Sequence, residues 1–150
     1  MRIALLGLGL IGGSIARAVR SYGWPVVAWT PSGEGPRQAR AAGVIDAAAA
    51  TPDEAVAGAD LVVLAAPASA CLDLVELLAG PARDALAPDA VVTDVASTKE
   101  VIVGRAAALG IRFVGGHPMA GRETSGFGAA RATLFQGRPW VVVAPPGDER

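Results

Sequence analysis

Gly7-Leu8-Gly9-Leu10-Ile11-Gly12 is the stretch on which the fold turns, because of what stands on either side of it. Residues 3–8 form a continuous aliphatic run, the pattern of a strand buried on both faces. A helical pattern follows over about residues 12–22 and stops at Gly23. A G-x-G-x-x-G string alone is a weak signal. Between a buried strand and a helix it has the setting in which it cradles a dinucleotide. Gly7 then makes the tight turn, Gly9 lets the backbone approach a pyrophosphate, and Gly12 allows close packing of helix on strand. The first-turn amides, near Leu10 and Ile11, offer unpaired N–H groups and a positive dipole end to the phosphates. Gly13 and Ser14 extend this small, donor-rich surface. The alternative is a glycine-rich turn that holds no ligand.

Outward from this motif, short apolar runs alternate with helical stretches. Strands are expected at residues 26–29, 61–65 and 90–95, with a further one beginning at residues 112–114 and a last one at 140–144. Residues 37–42 read as a short helix ended by Gly43, after a loop rich in proline and glycine. Thr51-Pro52-Asp53-Glu54 carries the signature of a capped helix start, and Ser97-Thr98-Lys99-Glu100 repeats it ahead of a helix reaching about residue 109. Leu72, Val75 and Leu78 mark another helix, broken at Pro81. Ala47 to Ala50 reads as an alanine-rich tract. The pattern is α/β: a doubly wound, mainly parallel Rossmann sheet with helices on both faces. Residues 1–146 form the dinucleotide-binding domain. Residues 147–150, after Pro145-Pro146-Gly147, read as the start of a linker to a domain outside the chain.

Composition narrows the partners. Thirteen lysines and arginines against fourteen acids leave no basic stripe for nucleic acid or an anionic membrane. One histidine and one cysteine, Cys71, cannot close a zinc site or an internal disulfide, so no metal is expected and a reducing compartment fits. Met1-Arg2 with its apolar run and Ala16-Arg17-Ala18 mimic a secretory signal, but the glycines interrupt the run. No apolar stretch is long enough to span a bilayer, and a cytoplasmic protein is expected.

The choice of cofactor turns on the end of the second strand. An acid that would hold the adenine ribose of NAD is expected about twenty residues beyond the glycines. Ala28-Trp29-Thr30-Pro31-Ser32 has none. Thr30 and Ser32 can donate to a 2′-phosphate and Arg37 can pair with it, while nearby Glu34 would repel it. These residues slightly favour NADP over NAD. The alternative is that they are solvated loop residues and NAD binds. Ala66 and Pro67, after the strand over residues 61–65, and Asp94, ending its strand, are further cofactor-side candidates. For Asp94, a structural hydrogen-bonding role is the safer reading.

Three further strings narrow the chemistry: Thr93-Asp94-Val95-Ala96-Ser97-Thr98-Lys99, then Gly115-Gly116-His117-Pro118-Met119-Ala120-Gly121-Arg122-Glu123-Thr124-Ser125-Gly126, and Leu134-Phe135-Gln136-Gly137-Arg138-Pro139-Trp140. Together with residues 7–14 they closely resemble the prephenate/arogenate dehydrogenase family, over essentially the whole chain. His117 is the only imidazole, the one side chain whose ordinary pKa suits proton exchange near neutrality, and Pro118 biases it to extended backbone. The resemblance implies that His117 accepts the proton of a ring hydroxyl, and that Ser97 orients that histidine and binds the substrate. It also implies that Glu123 and Gly121 border the substrate pocket. Ser97 reads equally as a helix N-cap, and Lys99 as a surface lysine. Arg122 departs from the small hydroxyl residue common in the family at that point, which puts side-chain recognition there in doubt. Trp24, Trp29 and Trp140 read as core or rim packing.

The resemblance implies oxidative decarboxylation of prephenate or arogenate with hydride transfer to NAD(P)⁺, on the route to tyrosine. It places the substrate-binding arginine and the homodimer contacts in a C-terminal helical domain absent from these residues, so the chain alone is expected to bind cofactor but turn over poorly. Two alternatives stay open: another dehydrogenase of the β-hydroxyacid type or an imine reductase, and a non-catalytic nucleotide-sensing domain.

Overall fold

A computed structural model describes residues 1–121 and 123–143. The chain winds as β1 (Ile3–Leu6), α1 (Leu10–Val19), β2 (Val26–Trp29), α2 (Glu34–Ala41), β3 (Ala47–Ala48), α3 (Pro52–Val56), β4 (Leu61–Leu64), α4 (Ala68–Ala79), β5 (Val91–Asp94), α5 (Glu100–Ala108), β6 (Phe113–Pro118) and β7 (Trp140–Val143). The strands form one sheet in the order β3-β2-β1-β4-β5-β6-β7. The first six run parallel and β7 is antiparallel to β6. This is the doubly wound α/β arrangement read from the sequence.

Alternation along the central strands builds the two layers. Ile3 and Leu5 of β1, Val26 and Ala28 of β2 and Val63 of β4 pack with Ala16 of α1, Ala39 of α2, Phe127 and Ala130. Ala4, Leu6, Val27, Val62 and Leu64 point the other way, into a second cluster with Val56 of α3, Leu74 and Leu78 of α4 and Ile102 of α5. Both faces are covered, as a parallel sheet requires, because crossover helices must pass over them. From β1 the chain proceeds outward to β2 and β3, then crosses back to β4 and continues the other way. The gap between β1 and β4 is therefore the switch point, where a crevice opens at the carboxyl ends of the strands.

Several local expectations shift. β1 stops at Leu6 because Gly7 adopts φ 110, and α1 begins at Leu10, two residues ahead of the expected start. Gly33, in the left-handed conformation, lets α2 start at Glu34 instead of Arg37. Ala47–Ala48, read as an alanine-rich tract, is a short edge strand, held beside β2 by parallel pairing that alanine neither helps nor hinders. β6 runs on through His117 to Pro118. The last strand is described over Trp140–Val143; Ala144 and the linker residues 147–150 lie outside the described residues.

The two capping signatures part company. At α3, Thr51 Oγ1 accepts from Glu54 N at 3.3 Å, and Glu54 Oε2 accepts from Ala50 N at 2.9 Å. At α5 the expected Ser97 cap is not made: the helix starts at Glu100, its cap position is Lys99, and no side chain caps it. Thr51→Ala is therefore expected to cost about 1 kcal/mol, whereas Ser97→Ala stays within about 0.5 kcal/mol. Chemical denaturation of the two variants checks the difference.

Candidate active site

The glycine turn is built by close approach. At Gly7 a β-carbon would sit 2.2 Å from the Ala65 carbonyl oxygen, and at Gly12 it would sit 2.4 Å from the Gly7 carbonyl oxygen. These two glycines press β1, α1 and the end of β4 together. At Gly9 a β-carbon would meet nothing within 4 Å, so the middle glycine faces open space. The helix that begins there has no side-chain cap and no acid in its first turn. Leu10 and Ile11 sit in that first turn, so its unpaired N–H groups and positive end are left for an anion. A dinucleotide pyrophosphate fits this cradle.

Gly13 and Ser14 do not extend the donor surface as expected. Gly13 lies against Phe127 and Ala130, where a β-carbon would be 2.9 Å from each. Ser14 is buried and its hydroxyl accepts from Arg131 N at 3.0 Å. Both tie α1 to the segment leading to β7. Arg17 adds to that seam by stacking its guanidinium 4.8 Å over the Phe127 ring.

A cleft of about 270 Å³ runs from the glycine turn along the β2–α2 loop, lined by Gly9, Thr30, Ser32, Glu34, Gln38 and Phe127 among others. Thr30 and Ser32 thus stand beside Gly9, as the sequence reading required. Each hydroxyl accepts from its own loop, Thr30 Oγ1 from Gly33 N at 3.1 Å and Ser32 Oγ from Glu34 N at 3.3 Å, leaving each O–H free to donate. Arg37 lines a neighbouring hollow with Arg40, Ala41 and Ala48, but one of its guanidinium nitrogens lies against Gly33, within the same loop. Glu34, held by Gln38 Nε2 at 3.2 Å, borders the cleft itself. Ala66 and Pro67 follow β4 at its carboxyl end, next to the Ala65 carbonyl that meets Gly7.

Asp94, also a cofactor-side candidate, has a side chain that is 0% exposed and hydrogen-bonded within the protein, the structural role that was its safer reading. Oδ1 accepts from Gly116 N at 3.1 Å, and Oδ2 accepts from Ala96 N at 3.2 Å and from Lys99 Nζ. Lys99, read as a surface lysine, has a side chain only 14% exposed and also donates to the Gly116 carbonyl at 2.6 Å. A lysine five residues after a strand-ending aspartate was the available signal, hidden because the capping pattern claimed the same residues. Cys71 lies near this pair, fully buried, and burial pushes its thiol above the ordinary range.

His117 follows Gly116 on β6 and is partly buried; Ser97 follows Ala96 and is exposed. Each is therefore one residue from a backbone amide bound to the Asp94 carboxylate. Beyond β6, a polar cleft of about 390 Å³ is lined by Met119, Ala120, Gly121, Arg131, Thr133, Gln136 and Arg138 with Leu134. Gly121 thus borders a cation-rich space. Glu123 is exposed, and no hydrogen bond among the described residues links it to His117 or Ser97. Arg122 lies outside the described residues. Trp29 Nε1 donates to Ala50 O at 3.2 Å, Trp24 stacks on Tyr22, and Trp140 meets Phe135 edge-on, so all three are packing residues.

A glycine turn at the switch point of a doubly wound sheet, with a histidine on the strand beyond, defines a dinucleotide-binding domain of the dehydrogenase type. Its sequence is more particular: residues 15–149 match the family model for the prephenate dehydrogenase nucleotide-binding domain, and the chain belongs to that family. It is 37% identical over 152 residues to a prephenate dehydrogenase of Bacillus subtilis (strain 168), covering 98% of this chain and 40% of that protein. The structure is similar to that of Synechocystis arogenate dehydrogenase, with a TM-score of 0.87, 33% identity, and coverage of 95% of this chain and 49% of that one. It is also similar to a prephenate dehydrogenase from A. aeolicus in complex with hydroxyphenyl propionate and NAD⁺, with a TM-score of 0.84, 28% identity, and coverage of 95% and 50%. The chain thus spans two-fifths to one-half of the length of these relatives.

The cradle geometry separates two glycine substitutions. Gly7→Ala combines a positive φ with a backbone clash and is expected to cost about 3 kcal/mol or more of stability. Gly9→Ala stays within about 1 kcal/mol of wild type, because its new methyl enters open space. With a pyrophosphate bound over the cradle that methyl would stand in its way, so dinucleotide binding is expected to weaken about tenfold, or 1.4 kcal/mol. Thermal unfolding and calorimetric titration of the two variants check the contrast.

Proposed function

We propose that this chain is the cofactor-binding part of an enzyme that oxidatively decarboxylates prephenate or arogenate with hydride transfer to NAD⁺ or NADP⁺. The observation that carries the reading is that Asp94, at the carboxyl edge of the sheet, holds the amides of Gly116 and Ala96, the residues before His117 and Ser97. The open glycine cradle supplies the neighbouring cofactor site. When bound, the dinucleotide supplies the hydride acceptor. The ring carbon bearing the hydroxyl gives up its hydride, and the neutral imidazole of His117 takes the hydroxyl proton, so a ring ketone forms. The ring carboxylate then leaves as carbon dioxide, its bonding electrons enter the ring, and the ring becomes aromatic. Ser97, exposed and free of the capping bond, orients the ring hydroxyl toward His117.

The cation-rich cleft beside Gly121, with Arg131 and Arg138, suits a substrate that carries carboxylates. Glu123, exposed on the following loop, belongs to the substrate side in this reading. Binding of the substrate's remaining groups and pairing into a homodimer belong, in this reading, to a helical domain of the kind that the longer relatives have room for. The 150 residues alone are then expected to bind cofactor and turn over poorly. A cytoplasmic site of action is part of the same proposal; among the described residues no helix is long and apolar enough to cross a membrane.

Thr30 and Ser32 in the cleft, with Arg37 against Gly33, support NADP⁺ as the preferred dinucleotide. Parallel calorimetric titration is expected to show NADP⁺ bound more tightly than NAD⁺. Arg37→Ala should weaken NADP⁺ about tenfold, 1.4 kcal/mol, and leave NAD⁺ unchanged. Equal NADP⁺ affinity before and after would remove the phosphate clamp and leave Glu34 as the group facing the ribose. Binding of neither dinucleotide by the folded chain would overturn the cofactor reading altogether.

His117→Asn in a longer polypeptide with measurable turnover should lower kcat by about 100-fold or more. Intact turnover in that variant would favour a different dehydrogenase chemistry on the same fold.

A further inference from the structure

Two ionisable groups lie withdrawn from water at the carboxyl end of the sheet with no part in the proton transfer just described. Asp94 is wholly buried and Lys99 nearly so. Burial of an ion pair carries a desolvation cost and is weak support for stability in itself. What this pair holds is specific. Asp94 takes the N–H of Gly116 and Lys99 takes its C=O, so both polar groups of the residue before His117 are engaged. The same carboxylate takes the N–H of Ala96, the residue before Ser97.

Ordinary sheet pairing does not supply this connection. The β5–β6 register runs through Val92 with Phe113 and Thr93 with Val114, and goes no further. Past that point the Asp94 carboxylate and Lys99 make the connection to Gly116. Gly116 is what allows the approach: a β-carbon there would lie 2.7 Å from the Asp94 carbonyl oxygen and 3.0 Å from Trp140 Nε1. Lys99 is packed closely too, its Cδ 3.2 Å from where a β-carbon on Gly115 would be.

We propose that Lys99, acting with Asp94, is a positioning residue that holds the His117 backbone against the Ser97 turn where β5 and β6 cease to pair. The proposal rests on the reading of His117 and Ser97 as the reacting pair, and its test is chosen to be separable from that reading. His117 is the sole histidine, so the carbon-bound protons of its ring report on one site in the NMR spectrum of the folded chain.

Asp94→Asn combined with Lys99→Met removes both charges at once and leaves no lone buried charge. This double variant is expected to unfold cooperatively, with its His117 ring signals displaced and broadened relative to wild type. Lys99→Arg keeps both charges, but its planar head cannot take the ammonium's place between Asp94 and Gly116. It should displace the same signals less far in the same direction, and it supplies the test if the double variant does not fold. A pair with only a structural role would lower the unfolding temperature and leave the ring signals where they are; signals superimposable on wild type in a folded variant overturn the proposal. The turnover of His117→Asn measures the catalytic reading independently. Intact turnover there would leave the displacement of the ring, and hence the geometry, standing.

Discussion

The carboxylate of Asp94 is the constraint on which the working end of this domain depends. It sits at the last residue of β5, inside the protein, with one oxygen on β6 and the other on the turn into α5 and on Lys99. A buried charge of this kind is tolerable only when paired and hydrogen-bonded, and here every neighbour it uses is a backbone amide or an ammonium. The consequence is geometric. Two segments are held at one point beyond the end of the β5–β6 ladder, and each passes directly into a residue that the proposed chemistry uses.

This arrangement also explains why Ser97 is free. A hydroxyl engaged as an N-cap would be committed to the first turn of α5. Because Asp94 already takes the Ala96 amide and Lys99 folds back over the turn, the helix begins later, at Glu100, without a side-chain cap. The cost of an uncapped end is about 1 kcal/mol, and the Ser97 hydroxyl is left exposed. Glycines at 115 and 116 serve the same end, since side chains there would meet Val103, Lys99 and Asp94.

The cofactor side is organised by a different device. Gly7 and Gly12 bring three segments into contact, and Gly9 is left facing space, so the helix end at Leu10 stays open. The β2–α2 loop then extends the cradle, with Thr30 and Ser32 each bound to a backbone amide of the same loop. The two devices lie on opposite sides of the β1–β4 switch point, one on β1 and β2, the other on β5 and β6. A ligand spanning the crevice would meet both.

The sequence by itself determined the architecture and singled out the candidate for proton exchange. The aliphatic run, the glycine spacing and the strand–helix alternation specify a doubly wound sheet, because burial on both faces and a tight strand-to-helix turn have few other solutions. His117, as the sole imidazole, was visible at once. Local signals failed where long-range pairing overrode them. Ala47–Ala48 has no strand preference, and only its neighbour β2 makes it a strand. Ser97 and Glu100 have capping spacing, yet a carboxylate from β5 takes the turn instead. Lys99 looked like a surface cation, and Asp94 read more safely as a structural hydrogen-bonding group; only tertiary structure could decide that the two face each other inside. Burial and partner choice depend on which segments meet in space, and residue spacing along the chain does not encode that.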